Sequence, residues 1–232
     1  MVALAILAAA CGGGGDSDGV VTLGSVVDAT RSANTARLRL ELSLAQGDGP
    51  STLSEGVVSF ESGDSEMRSG PLGSDLGDGA MVARTVGDEV FVGTGNSGEE
   101  GTRWVRLPTA AAADGVFLRL DPVLIADELE RSAGELTESG TSEVEGDPTT
   151  VYRLELPSGS DVLPLLAVPA DASVTATMEV DSQGRLRRLV AEPDDPGRAT
   201  GDDSGPPQFP VPERSELVLW DFGVDVHVDE PP

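Results

Sequence analysis

Between residues 36 and 44 the chain reads ARLRLELSL, with Leu38, Leu40, Leu42 and Leu44 alternating against Arg37, Arg39, Glu41 and Ser43. An alternation of period two puts the leucines on one side of an extended strand and the polar residues on the other, so this segment predicts a strand with one buried and one wet face. Alternating or turn-bounded runs recur at 53–61, 65–69, 80–86, 88–93 and 102–108, with Gly87-Asp88 as a turn between two of them. Beyond a break they resume at 135–146, 149–157, 173–181 and 185–192, and a last run, SELVLWDFGVDVHV, covers 215–228. In 149–157, Tyr152, Leu154 and Leu156 alternate against Arg153 and Glu155; in 173–181, Val174, Ala176, Met178 and Val180 share a face, and Ser182-Gln183-Gly184 turns the chain into the next strand.

Two stretches have a helical period instead. Residues 24–35 place Val26, Val27, Ala29, Thr30 and Ala33 at mostly helical spacing, with Ser25 able to cap the start. Residues 121–134 open with Asp121 as N-cap and Pro122 at the first helical position, carry Leu124, Ile125 and Leu129 on one face, and stop at Gly134. The segment 161–169 is apolar and twice interrupted by proline, which suits an irregular or short helical crossover. About ten or eleven strands, mostly joined as hairpins, with two substantial helices imply an α+β fold: a strongly curved antiparallel sheet, a half-barrel, with helices covering its concave face. No internal repeat is visible.

Composition narrows the functions open to such a fold. The 232 residues carry 41 Asp+Glu against 15 basic residues, all of them Arg, for a formal charge of −26. A nucleic-acid partner is therefore not expected, because phosphate neutralisation needs a basic face. One cysteine excludes an intramolecular disulfide and a Cys-rich zinc site, and one histidine leaves Cys/His or Ser/His/Asp chemistry to Cys11 and His227 at opposite ends of the chain. His227 alternates with Val226 and Val228 and should face solvent. The acidic clusters at 16–18, 194–195 and 202–203 lack the Gly and Glu placements of a calcium loop, and Gly93–Gly98 lies between strands rather than ahead of a helix, so it reads as a hairpin loop and not a phosphate cradle. Neither an enzyme nor a cofactor is expected. Residues 193–213, acidic and rich in Pro and Gly, read as an exposed, disordered loop.

The first ten residues, MVALAILAAA, are wholly apolar but half as long as the roughly 20 residues that a membrane-spanning helix needs. Ala9 and Ala10 precede Cys11, and Gly12 to Gly15 follow. This is the form of a bacterial lipoprotein signal (1–10), whose cysteine is alkylated with diacylglycerol. No Arg or Lys precedes the apolar run, so the true translation start is expected upstream. Two acyl chains on Cys11 suffice for stable attachment, and a flexible tether at 11–22, with a reach of roughly 17 Å for ten residues, would hang the 23–232 domain from the outer surface of the cell membrane.

The order and spacing of several pieces resemble the actinobacterial LppX/LprG lipoproteins and, in shape and more distantly, the periplasmic carriers LolA and LolB. They are Asp121-Pro122 with Leu124 and Leu129; GTSEVEGDPTTVY at 140–152; Val180-Asp181 with Gly184 to Leu189; and Leu219-Trp220-Asp221-Phe222-Gly223 with Val226 and Pro231. The resemblance implies a half-barrel enclosing an apolar cavity for lipid or glycolipid acyl chains in the cell envelope. Its lining would come from the alternating faces: Leu38, Leu40, Leu42, Leu44, Val58, Phe60, Tyr152, Leu154, Leu156, Val174, Ala176 and Met178, although a period-two face is also what an ordinary filled core requires. Arg185, Arg187 and Arg188 form the one basic cluster, able either to meet an anionic headgroup or to pair with nearby acids. The expected protein is thus a monomeric, lipid-anchored carrier. A ligand-free envelope module that binds a protein partner is the alternative.

Overall fold

The computed structural model describes residues 21–44, 52–71, 80–95, 102–107, 122–132, 135–166, 168, 171–194 and 212–232. Cys11, the apolar run at 1–10, the Asp121 cap, the Gly134 stop and most of the acidic loop (195–211) lie outside these.

Eleven strands form one antiparallel sheet: β1 (Thr35–Leu44), β2 (Thr52–Ser59), β3 (Ser65–Pro71), β4 (Met81–Val86), β5 (Glu89–Gly95), β6 (Thr102–Leu107), β7 (Thr137–Val144), β8 (Asp147–Leu156), β9 (Val174–Asp181), β10 (Leu186–Pro193) and β11 (Pro212–Trp220). Their spatial order is β6-β5-β4-β3-β2-β1-β11-β10-β9-β8-β7. The sheet is two meanders, each built of neighbours in sequence, welded at its centre where the first strand pairs with the last (Leu38 opposite Leu219, Leu40 opposite Leu217). It does not close on itself, and β6 and β7 are its edges.

Turn chemistry places the hairpins. Glu145 (φ 51°) and Gly146 (φ 86°) make a two-residue left-handed turn between β7 and β8, as the right-handed twist of paired strands requires. Gly87 and Gly184 do the same work at the β4–β5 and β9–β10 turns. β5 and β6 pair out to Gly95 opposite Thr102, so Gly93 to Gly95 of the glycine-rich segment belong to the strand rather than to a loop, and residues 96–98 lie outside the described residues.

Three helices are described: α1 (Leu23–Arg31), α2 (Pro122–Ser132) and α3 (Val162–Leu165). The first departs from its sequence reading. Thr22 is the N-cap, and Ser25, three residues on, returns the bond to the Thr22 backbone, making a reciprocal capping box; the helix ends at Arg31. Asn34, in the left-handed region at φ 64°, then starts the strand sooner than an apolar period extending to Ala33 suggests. α3 is the short helical crossover expected at 161–169.

The last strand also differs from its sequence reading at both ends, opening at Pro212 and stopping at Trp220 rather than running to 228. Asp221 (φ 48°) and Gly223 (φ 80°) turn the backbone out of the strand, Gly223 N–H donates to the Thr35 carbonyl, and the Thr35 hydroxyl donates to the Val224 carbonyl. Residues 224–232 continue without strand pairing. His227 is exposed there, beside Asp229.

Candidate functional site

In antiparallel pairs directly opposed residues point to the same side of the sheet, so the register assigns faces. Leu38, Leu40 and Leu42 of β1 share one face with Leu217 and Leu219 of β11, Val58 of β2, Met67 of β3, Leu189 of β10, Ala176, Met178 and Val180 of β9, and Tyr152, Leu154 and Leu156 of β8. We call this the inner face, because Leu23 and Val26 of α1, Ile125 and Leu129 of α2, and Val162 and Leu163 of α3 belong to the same buried cluster. Arg31 of α1 bonds Asp127 of α2, and the Thr30 hydroxyl accepts the Leu186 N–H of β10, fixing the helical layer to itself and to the sheet.

Eleven of the twelve residues proposed to line a cavity are brought together in this cluster: Leu38, Leu40, Leu42, Val58, Phe60, Tyr152, Leu154, Leu156, Val174, Ala176 and Met178, all buried. The Leu44 side chain lies outside the described residues. Burial pushes the Tyr152 phenol above its ordinary pKa, and the Glu138 carboxylate facing it across the β7–β8 pair adds to the shift.

Burial is uneven along the inner face. One transverse row runs Val105, Val92, Ala83, Met67, Gly56, Leu38, Leu219 from the β6 edge to the centre. Val105 is 50% exposed, Val92 half-buried, Ala83 5% exposed, Met67 3% and Leu38 0%. Leu107 of β6 and Met81 of β4, on the same face, are also half-buried. Toward β6 the row therefore opens, and Ala83 and Val90 stand outside the helix-packed cluster. Between the Leu-rich centre and this edge the face changes character: Ser54 and Ser69 share a buried hydrogen bond of 2.7 Å, with Ser65 and Thr85 buried nearby on the same strands. The sequence reading missed this half of the face.

On the other side of the sheet the basic cluster is already committed. Arg185 pairs with Asp181 (2.7 Å), Arg187 with Asp147 (2.6 Å) and Asp181 (3.7 Å), and Arg188 with Glu179 (2.9 Å) and Glu216 (3.0 Å). The Phe222 ring lies under Arg185 and Arg187 at 4.3 and 5.5 Å. These arginines pair with acids rather than presenting a free headgroup site. Among the described residues no group of three or more His, Cys, Asp or Glu is placed to hold a metal, and no helix is long and apolar enough to cross a membrane.

No protein-family model matches the chain, and no curated protein matches it in sequence. Solved structures do match in fold. The lipoprotein LppX of Mycobacterium tuberculosis superposes with a TM-score of 0.58 over 89% of this chain and 96% of its own, at 16% identity. LprF of Mycobacterium bovis does so with a TM-score of 0.52 over 90% and 94%, at 14% identity. The fold suggested by the sequence resemblance is thus present across almost the whole chain.

Proposed function

We propose that this chain is a membrane-anchored, extracytoplasmic lipoprotein that binds or carries lipid by burying acyl chains, without catalysis, in an apolar cavity on the inner face of its sheet. The observation that carries the reading is the inner face itself, Leu-rich at its centre, crossed by a band of buried Ser and Thr and apolar again as it opens toward β6, in a fold shared with LppX along most of both chains. Burying about 500 Å² of acyl surface contributes on the order of 12 kcal/mol before the costs of association, enough to hold a lipid without a single polar contact. Acylated Cys11 would be the anchor, and the strong negative charge belongs to the wet exterior of a tethered monomeric domain.

The filled centre favours the second reading, a ligand-free envelope module acting on a protein partner, because Leu38, Leu154 and Leu163 are sealed by their neighbours. Titrating the delipidated protein with a fluorescent fatty acid separates the two. Saturable binding at about one chain or more per protein supports the carrier; signal no greater than that of a protein without an apolar cavity refutes it. Metabolic labelling with an alkyne fatty acid tests the anchor, and equal labelling of the wild type and Cys11→Ala would exclude acylation at this cysteine.

A further inference from the structure

The lipid reading leaves open where on the inner face a ligand lies and what headgroup it carries. The centre is the least available place, since its leucines are buried in one cluster with side chains of α1, α2 and α3. The β6 end is different: its row of Val105, Val92, Ala83 and Met67 goes from half-exposed to buried over four adjacent strands. Neighbouring strands are roughly 4.8 Å apart, so that row spans about 14 Å, the length of a substantial part of an acyl chain.

Charge then distinguishes the two edges. Residues 103, 105 and 107 of β6 alternate onto the inner face, and Arg103, exposed and opposite Thr94, is the only cation that the register aligns with that face among the described residues. The other arginines near this end point to the opposite side: Arg106 bonds Glu89, and Arg84 bonds Glu66 and lies 4.9 Å from the Trp104 ring centroid. At the far edge the corresponding positions of β7 carry Glu138 and Glu143, both exposed. The inner face thus carries a positive charge at its β6 end and negative charges at its β7 end.

We infer that the ligand is a lipid with an anionic headgroup, held at the β6 edge with the headgroup at Arg103 and one acyl chain running inward along Val105, Val92 and Ala83. This rests on the lipid-binding reading above and assigns it a place and a charge preference. The Leu-rich centre is then scaffold, and the acyl-contacting surface is the Val- and Met-bearing half that alternates less visibly in sequence.

The test uses the full-length protein and two photoactivatable probes, phosphatidylglycerol and phosphatidylcholine carrying a diazirine in one acyl chain. Peptide mapping should place the label between residues 81 and 107. Arg103→Glu should weaken phosphatidylglycerol binding about tenfold while leaving phosphatidylcholine unchanged, as expected for loss and reversal of one charge-assisted contact. Val105→Asp should weaken both probes. Full-strength labelling confined to β8–β11 or the helices, or equal loss of both lipids in Arg103→Glu, would overturn this placement and leave lipid binding intact. No labelling at any site, with thermal unfolding showing folded protein, would instead overturn lipid binding and the placement with it.

Discussion

Single residues carry different loads on the two faces. Leu38 sits at 0% exposure among Leu40, Leu219 and Val58, so Leu38→Ala leaves a cavity that neighbours held by strand pairing cannot collapse into; we expect a loss of about 2–5 kcal/mol in denaturant unfolding. Opposite it, Asp181 accepts the backbone N–H groups of Gln183 and Arg185 and pairs with Arg185 and Arg187. Asp181→Ala would leave the buried Arg187 guanidinium with one carboxylate partner, the exposed Asp147, beside the Val144 carbonyl, and should cost about 3–5 kcal/mol by the same assay. Tyr152 gives a pH signature. Its pKa is raised in the folded chain, so above the unfolded value near about 10 the folded chain still holds a proton that the unfolded chain has lost. Stability therefore falls as pH rises beyond that value and is untouched by this group below it. As the only tyrosine, Tyr152 can be titrated directly by tyrosinate absorbance. Its midpoint should lie above that of a free tyrosine and return to it on unfolding, and Tyr152→Phe should remove this alkaline contribution.

Elements were legible where one physical rule acted alone. The Leu38–Leu44 alternation and the Tyr152–Leu156 run each have one purely apolar face, and both strands are present, with Leu38, Leu40 and Leu42 of the first and Tyr152, Leu154 and Leu156 of the second inward. The Asp-Pro start at 121–122 located α2 because Pro is tolerated at a first helical turn and little deeper. Legibility failed where two rules competed. In TRWVRL both faces carry apolar groups, Trp104 outward and Val105 and Leu107 inward, so the pattern does not say which side matters. At 221–223 the alternation of VDVHV continues past residues whose left-handed backbone has already ended the strand. Thr22 was overlooked as a cap because Ser25 lies nearer the first valines; Thr22→Ala should cost about 0.5–2 kcal/mol and show as earlier loss of α1 amide protection in hydrogen exchange. Gly56 holds β2 against β3: a Cβ there would come within 1.9 Å of the Glu66 carbonyl oxygen, so Gly56→Ala should separate the two strands and lower the melting temperature.

Across the whole molecule, a chain with a −26 charge has an inner sheet face that, among the described residues, is almost uncharged between Arg103 at one edge and Glu138 and Glu143 at the other. Two meanders welded through β1 and β11 make that face continuous from edge to edge; its centre shares a buried cluster with residues of the helices, and the β6 end is more open. That arrangement suits a hydrophobic cargo held from one side. The central claim is tested most directly by native mass spectrometry of the full-length protein purified from its own host, before and after extraction with organic solvent. The account predicts an additional mass that solvent removes and that the extract identifies as an acyl lipid. A protein that flies at the same mass before and after extraction, with no lipid in the extract, would contradict it.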